Sequence, residues 1–542
     1  MAKKSFENES TYKKALEAGK EAEFDSLFDS AVKEARAHFG ATYPLFIGGK
    51  EFYAREQLIE RSPIDGVTLG KFQKGMREHA KIAINAALQA FKPWRDMDYR
   101  DRVAIFMKAA DLFSKKKYEL AAILSYENGK SRYESVGEVD EAIDFIHYYA
   151  NEMLVNKGFI RKTTVEESMA KVSAGFQGAP GNAEKVTISL KPYGVFGIIA
   201  PFNFPVSISV GMSVGAMITG NTVVFKPSST ENMSMFTGLK IYELLTEAGL
   251  PAGVFNFVTG PGSEIGDELT ISRSVSGIAF TGSKATGLGM LTKTYDLGMQ
   301  KVFVVEMGGK NPAIVSKYAD IDAAVSGCAS AAFGYAGQKC SALSRVYVHE
   351  SIKELFISKL IEKVRTLKVG NPLQKDVYIG PLISESALKR YIDAMDKAKA
   401  SGRILYGGNK VEFGSAPNTY YVEPAIVELR HDHELFHKEL FAPILTIDTF
   451  TEIKDAIRMA NDVEYGLTAG IYTKNKREIK EFSDNIEAGV VYVNRAISAT
   501  TGAIVGLHTF VGWKGSALTG KGSGSKFYLP QFMREQSMSI TK

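Results

Sequence analysis

Residues 195–229 read VFGIIAPFNFPVSISVGMSVGAMITGNTVVFKPSS, and this stretch decides the fold. Val195–Ala200 is an unbroken apolar run, the pattern of a parallel strand covered on both faces. Pro201 and Pro205 frame a rigid turn that presents Asn203. Val206–Ile218 then reads as a helix, and Thr222–Phe225 as a second strand ending at Lys226-Pro-Ser228-Ser229. Tyr193–Phe225 carries no charge and is long enough to cross a bilayer, yet Pro201, Asn203, Pro205 and the Gly220-Asn221 pair interrupt it. A buried strand, loop, helix and strand fits these breaks better than a membrane helix.

Outward from here the pattern repeats. Phe255–Thr259, Gly277–Phe280 and Val302–Val305 read as three further strands with helical segments between them. Strand, crossover and strand in this order predict a doubly wound α/β fold, which binds ligands at the carboxyl ends of its strands. Those ends carry Lys226, Ser228 and Ser229, then Gly260-Pro-Gly262-Ser-Glu-Ile-Gly266, then Thr281-Gly-Ser283, and finally Glu306-Met-Gly-Gly-Lys310. The glycine loop does not match the GxGxxG spacing, but it follows a strand and enters a helix, where backbone N–H groups can face a pyrophosphate.

Upstream, residues 8–38 read as one helix with Leu16, Phe24, Leu27, Phe28, Ala31 and Val32 on its apolar face. PLFIGGKEF, residues 44–52, reads as a hairpin around Gly48-Gly49. Residues 77–158 read as amphipathic helices, with Glu138 and Glu141 expected on a solvated face. Residues 160–192 read as a β-hairpin, part of whose pairing is expected on another subunit. The apolar C-terminal PQFMREQSMSI is likewise expected to pair with a neighbour, giving a homo-oligomer.

With 542 residues, 45% of them hydrophobic and 23% charged, the chain suits two or three globular domains. Sixty-six basic residues against 61 acidic leave a net charge of +5, which makes no case for nucleic acid or an anionic membrane as partner. Two cysteines exclude a disulfide framework, and the first residues carry no apolar signal core, so a cytoplasmic protein is expected.

One of those cysteines, Cys340, sits in GYAGQKCSALS, residues 334–344, among small residues that leave a thiol approachable. Thiolate is the strongest neutral-pH nucleophile among side chains, and Lys339 is the nearest candidate cation to favour it. His431, His433 and His437 in HDHELFH include an i, i+4 pair, but with no carboxylate motif beside them they read as a polar loop, and no metal is expected.

Pro201-Phe-Asn203, Lys226-Pro-Ser228, Phe280-Thr-Gly-Ser283, Glu306-Met-Gly-Gly-Lys310, Gly337-Gln-Lys-Cys340 and Glu439-Leu-Phe441-Ala-Pro443 occur in the order seen in the aldehyde dehydrogenase superfamily, which the chain resembles over roughly residues 45–540. Within it, Lys339-Cys340-Ser341-Ala-Leu-Ser344-Arg345, Asn494-Arg495 leading to Thr501–Gly506, and the Gly/Ser loop near residue 520 are most similar to the 1-pyrroline-5-carboxylate (glutamate semialdehyde) dehydrogenases.

The resemblance implies an N-terminal helical extension (1–39), a cofactor-binding domain (40–165 and 193–310), a catalytic domain (311–505), and an oligomerisation element with the substrate loop (166–192 and 506–542). It implies Cys340 as nucleophile, Asn203 with the Cys340 N–H as oxyanion donors, and Glu306 as the base that activates water. Lys226, Ser228, Ser229, Gly262, Gly266, Ser283, Glu439 and Phe441 would hold NAD. Ser229, standing where a carboxylate is frequent in NAD-dependent relatives, leaves NADP as a second option. Ser341, Gly522, Ser523 and Gly524 would anchor the substrate carboxylate, Phe204 and Phe527 would wall its chain, and Glu138 would meet its amino group.

The expected activity is oxidation of glutamate semialdehyde to glutamate in proline catabolism. The loop departs from the family pattern at Phe510-Val511-Gly512 and Ser516-Ala-Leu-Thr519, which keeps a broad or glyceraldehyde-type substrate as the alternative.

Overall fold

The pattern around residue 195 folds into a seven-stranded sheet with the order Val302–Glu306, Val275–Thr281, Val195–Ile199, Thr222–Lys226, Phe255–Phe257, Leu45–Ile47 and Lys50–Phe52. The first five strands run parallel, and the Gly48-Gly49 hairpin joins their edge antiparallel. The computed structural model describes residues 10–164, 184–229, 233–413, 420–496 and 504–541.

A second seven-stranded sheet has the order Arg403–Tyr406, Ala425–Glu428, Ile444–Phe450, Leu343–His349, Asn311–Val315, Thr468–Tyr472 and Val490–Val493, parallel except at its first pair. Only Met307–Lys310 separate the last strand of the first sheet from Asn311–Val315 of the second. The α/β class read from the strand–helix alternation is therefore the observed one.

The uncharged helix Ser207–Ile218 lies inside the first of these layers, with every residue but Ile208 buried. Among the described residues no helix is long and apolar enough to cross a membrane.

At the N-terminus two helices, Ser10–Glu17 and Glu21–Ala37, replace the single one expected. Gly19, at φ +66°, ends the first and resets the helical phase, so Leu16 is exposed instead of sharing a face with Phe24. Leu27 is exposed as well, whereas Phe24 and Phe28 are buried, each worth about 1.5–3 kcal/mol of apolar burial. Arg132 ties this extension down: it donates to Asp25 at 2.7 Å and Asp29 at 3.1 Å and lies over the Phe28 ring.

The C-terminal strand Met533–Thr541 pairs within its own chain, against Glu184–Pro192, which in turn pairs with Ile160–Thr164. That pairing occupies only one side of the strand. It remains an edge strand, with Met538 and Ile540 exposed. The central residues of the 166–192 hairpin lie outside the described residues.

Candidate active site

Parallel register brings the chemistry to one edge. Ile199 stands opposite Lys226, and Thr281 opposite Glu306, so the turns carrying Asn203, Ser229, Gly262 and Ser283 leave the first sheet at the same end as Glu306. The second sheet meets that end with its amino-terminal side, where the Cys340 loop precedes Leu343–His349 and Glu439 precedes Ile444–Phe450.

Asn203 is buried, and its Nδ2 donates to the carbonyl of Gln338 at 3.2 Å, which sets the amide beside the cysteine loop. The turn that holds it is fixed from behind by Glu138. This carboxylate accepts from the N–H groups of Val206 (2.7 Å) and Ser207 (3.2 Å) and pairs with Lys130, both side chains being fully buried. Glu138 therefore lies on no solvated face, contrary to the sequence expectation, because the apolar helix Ser207–Ile218 needs its N-terminal amides capped inside the core. Its oxygens are committed to backbone and Lys130, a poor position from which to meet a substrate amine. Burial pushes the Glu138 carboxyl up and the Lys130 ammonium down, against their mutual attraction. Lys130 Nζ also lies 3.5 Å from the centroid of the half-buried Phe204 ring.

The loop before Cys340 is tightly turned, with Tyr335, Ala336 and Gly337 all at positive φ. A Cβ on Gly337 would come within 2.5 Å of the Ala442 carbonyl, so only glycine lets this loop pass beneath the Glu439–Pro443 segment. Two amides absent from the sequence reading secure it. Asn311 Nδ2 donates to the carbonyls of Cys340 (2.8 Å) and Ala342 (2.9 Å), while its Oδ1 accepts from Thr468 N–H. Gln338 is fully buried, accepts from Ile383 N–H at 2.9 Å and donates to Pro381 O. An asparagine opening the otherwise apolar strand NPAIV was the available signal, since a buried amide must find partners.

The Cys340 thiol is half-buried and its pKa is pushed up to about 12, by burial first and then by Glu439 and Glu306; the N–H groups of Ser341 and Cys340 pull the other way. Lys339 is not the activating cation the sequence offered: its ammonium is paired with Glu134. Cys328, by contrast, is fully buried in the second sheet's core.

Glu306 leaves its strand with Oε2 unpartnered, and burial pushes its carboxyl well above the usual range. Next to it, Gly308 and Gly309 show why the motif needs two glycines. A Cβ on Gly308, at φ +71°, would lie 2.6 Å from Glu439 Oε2, and one on Gly309 would overlap the Cys340 carbonyl. Gly309 N–H donates to Glu439 Oε1 at 2.9 Å, and burial raises the Glu439 carboxyl to about 7.

Toward the other end, Lys226 is buried and donates to the Pro227 carbonyl and to Ser229 Oγ at 3.3 Å; burial lowers its ammonium to about 8. Ser229 Oγ donates to Gly260 O at 2.8 Å, which joins the Lys226 turn to the glycine loop. Ser228 is half-buried in the same turn. A Cβ on Gly262 would meet nothing within 4 Å and one on Gly266 nothing closer than 3.9 Å, so internal packing does not demand glycine at either position. Ser283 caps the helix Lys284–Asp296 and is exposed. Phe441, at φ +55°, sets its ring 5.8 Å from that of Phe202, beside Asn203.

Among the residues expected at the substrate, Ser341 is buried directly after Cys340. Gly522 is required by packing, because a Cβ there would overlap the Phe510 carbonyl, and Ser523 closes that contact by accepting from Phe510 N–H at 3.1 Å. Gly524 is at φ +66°, with Phe145 the nearest side chain. Phe527 is 53% exposed, and its N–H donates to Ser525 Oγ at 3.2 Å, directly after the Gly522–Gly524 turn.

The sequence profile described as the aldehyde dehydrogenase family matches residues 53–538. The chain belongs to the aldehyde dehydrogenase family. A 1-pyrroline-5-carboxylate dehydrogenase of Bacillus mycoides is 33% identical to it over 520 residues, which cover 95% of this chain and 96% of the relative. In structure it is similar to the 1-pyrroline-5-carboxylate dehydrogenase from Thermus with bound NAD, at TM-score 0.87 and 32% identity over 95% of this chain and 96% of that one. An NADP-dependent enzyme of E. coli is similar at TM-score 0.82 and 29% identity, over 94% and 99% of the two chains. For an aldehyde dehydrogenase, the chemistry requires a thiol, an oxyanion donor, a water-activating base and a hydride acceptor to converge. Asn203 and Glu306 stand on two turns, each tied by a hydrogen bond to the loop that carries Cys340.

Proposed function

We propose that this dehydrogenase oxidises glutamate γ-semialdehyde, the open form of 1-pyrroline-5-carboxylate, to glutamate. The observation that carries the mechanism is the Asn203–Gln338 bond of 3.2 Å, which seats an amide donor on the loop that ends in Cys340.

In this reading Cys340 gives its thiol proton to solvent and adds as the thiolate to the aldehyde carbon, and the resulting oxyanion accepts from Asn203 Nδ2 and the Cys340 N–H. Collapse of the adduct restores the carbonyl as a thioester and expels the aldehyde hydrogen as hydride, for which a bound nicotinamide would supply the two-electron acceptor. Glu306 then removes a proton from water as the water attacks the thioester, freeing Cys340 and the acid product. Burial raises the Glu306 carboxyl, which makes its carboxylate a stronger base toward water than an exposed one. Burial disfavours the Cys340 thiolate, and a bound oxidised nicotinamide would supply positive charge that favours it.

For the cofactor, Lys226 and Ser229 would meet the adenosine ribose, with Ser228 in the same turn; Gly262, Gly266 and Ser283 would meet the pyrophosphate, and Glu439 with Phe441 the nicotinamide end. Ser229 places no negative charge near a 2′-phosphate, and the similar E. coli enzyme is NADP-dependent, so the reading is NAD with NADP accepted. Substrate assignment draws on the names of the similar dehydrogenases; Ser341 and the Gly522–Gly524 turn would receive its carboxylate. The cofactor domain would be built on the first sheet and the catalytic domain on the second. The reading includes a cytoplasmic homo-oligomer, supported by the exposed edge strand Met533–Thr541.

Following NADH and NADPH production across an aldehyde panel tests this. A strong preference for pyrroline-5-carboxylate is expected. Equal turnover of aldehydes lacking a carboxylate, such as glyceraldehyde, would overturn the substrate assignment.

A further inference from the structure

The histidine cluster that the sequence left as a polar loop is highly ordered in its contacts. His437 ends the short helix Glu434–His437, two residues before Glu439. Its Nδ1 lies 3.0 Å from the Asp462 main-chain carbonyl and its Nε2 lies 2.9 Å from the His431 carbonyl. Carbonyl oxygens only accept, so both bonds form together only when both ring nitrogens carry hydrogen, that is, when the ring is an imidazolium.

His431 is built into the same knot. Its ring lies 5.1 Å from that of His437, its Nδ1 is 2.9 Å from Tyr347 Oη, its Nε2 is 3.0 Å from Asp462 Oδ2, and its N–H donates to Asp448. Tyr347 in turn accepts from Arg345, whose Nε donates to the carbonyl of Lys310 in the Glu306–Asn311 turn. The charged and titratable groups that face this pair are thus Asp462, Asp448, Arg345 and Tyr347. Asp462 is held below the usual carboxylate range by His431 first, and His437 adds to the effect. Although His431, His437 and Asp462 have ligand atoms within 4.8 Å of one another, all four ring nitrogens already have partners, which disfavours a metal.

We infer that His437 is a positioning residue for Glu439: donating from both ring nitrogens, it clamps the turn 431–437 to Asp462 and so fixes where the following carboxylate and Phe441 are presented. A side chain that donates to neither carbonyl releases the clamp. This inference rests on the reading that Glu439 holds the cofactor's nicotinamide end. Glu439 itself, with its carboxyl raised to about 7, is charged above that pH and loses its charge below it.

Fluorescence titration with NADH from pH 5.5 to 9, with and without EDTA, tests the assignment on wild type, His437→Phe, His437→Arg and Glu439→Gln. His437→Phe is expected to weaken binding about tenfold, the size of one hydrogen bond to a charged group. His437→Arg, which can donate to both carbonyls, is expected to restore tight binding. Wild-type affinity in His437→Phe, or equal losses in His437→Phe and His437→Arg, with Glu439→Gln impaired, would overturn the inference. Unchanged binding in Glu439→Gln would instead overturn the reading of Glu439. Loss of wild-type affinity on adding EDTA would replace the clamp with a metal site.

Discussion

Replacing Gly308 and Gly309 separately with alanine should split the cofactor site from the nucleophile. Gly308 sits at φ +71°, where an L-residue costs roughly 1 kcal/mol, and its new Cβ would fall 2.6 and 2.8 Å from the two Glu439 oxygens. The carboxylate must swing away from the Gly309 N–H, losing a hydrogen bond to a charged group worth about 1.5–3 kcal/mol. Even half of that total, spent on cofactor binding, weakens it about tenfold. In Gly309→Ala the added methyl instead overlaps the Cys340 carbonyl and presses on Asn311 Oδ1 at 2.9 Å, which breaks the clamp on the cysteine loop. NADH titration, combined with iodoacetamide labelling of Cys340, reads the two effects apart. Gly308→Ala should lose NADH affinity and keep a labelled thiol, and Gly309→Ala should keep NADH affinity and lose turnover. Identical phenotypes in the two variants, or Gly308→Ala with undiminished affinity, would refute the placement of Glu439 and Cys340 on opposite sides of this turn.

Asn203→Ala should lower kcat by about 100-fold or more, the usual effect of deleting one oxyanion donor, while NADH binding stays within about twofold. In the free enzyme the Cys340 thiol is pushed up to about 12, so the thiolate fraction grows with pH; iodoacetamide labelling should rise about tenfold per pH unit from 7 to 9.5, and a plateau below pH 9 would contradict the burial of the thiol. Glu138→Gln strips one partner from a fully buried ion pair and should cost about 3–5 kcal/mol in urea unfolding. Adding Lys130→Met should recover part of that loss, whereas an unaltered midpoint with a raised aldehyde KM would return Glu138 to the substrate.

The parallel strands of the first sheet were legible because each is a short apolar run closed by a turn, and the chemistry follows those turns. Lys226, Glu306 and Asn203 could be placed at one edge from sequence order alone. Glu138 could not. A glutamate on an amphipathic-looking helix gives no sign that it caps the buried amides of Val206 and Ser207, which lie 68 and 69 residues away. Asn311 and Gln338 were missed for a related reason: their partners are backbone atoms of other loops, and backbone leaves no imprint on a side-chain motif. At the N-terminus, Gly19 broke one expected helix into two, a conformational effect that a face-by-face count of apolar residues overlooks. The C-terminal segment was read as a strand that pairs, and one of its two sides pairs within the chain, a partner that its own apolar pattern does not name.

Mass spectrometry of Glu306→Gln after mixing with pyrroline-5-carboxylate and NAD tests the central claim most directly. The account predicts a burst of one equivalent of NADH and an acyl adduct on the peptide that contains Cys340, because the thioester forms and then waits for a base. Steady NADH production with Cys340 unmodified would contradict it.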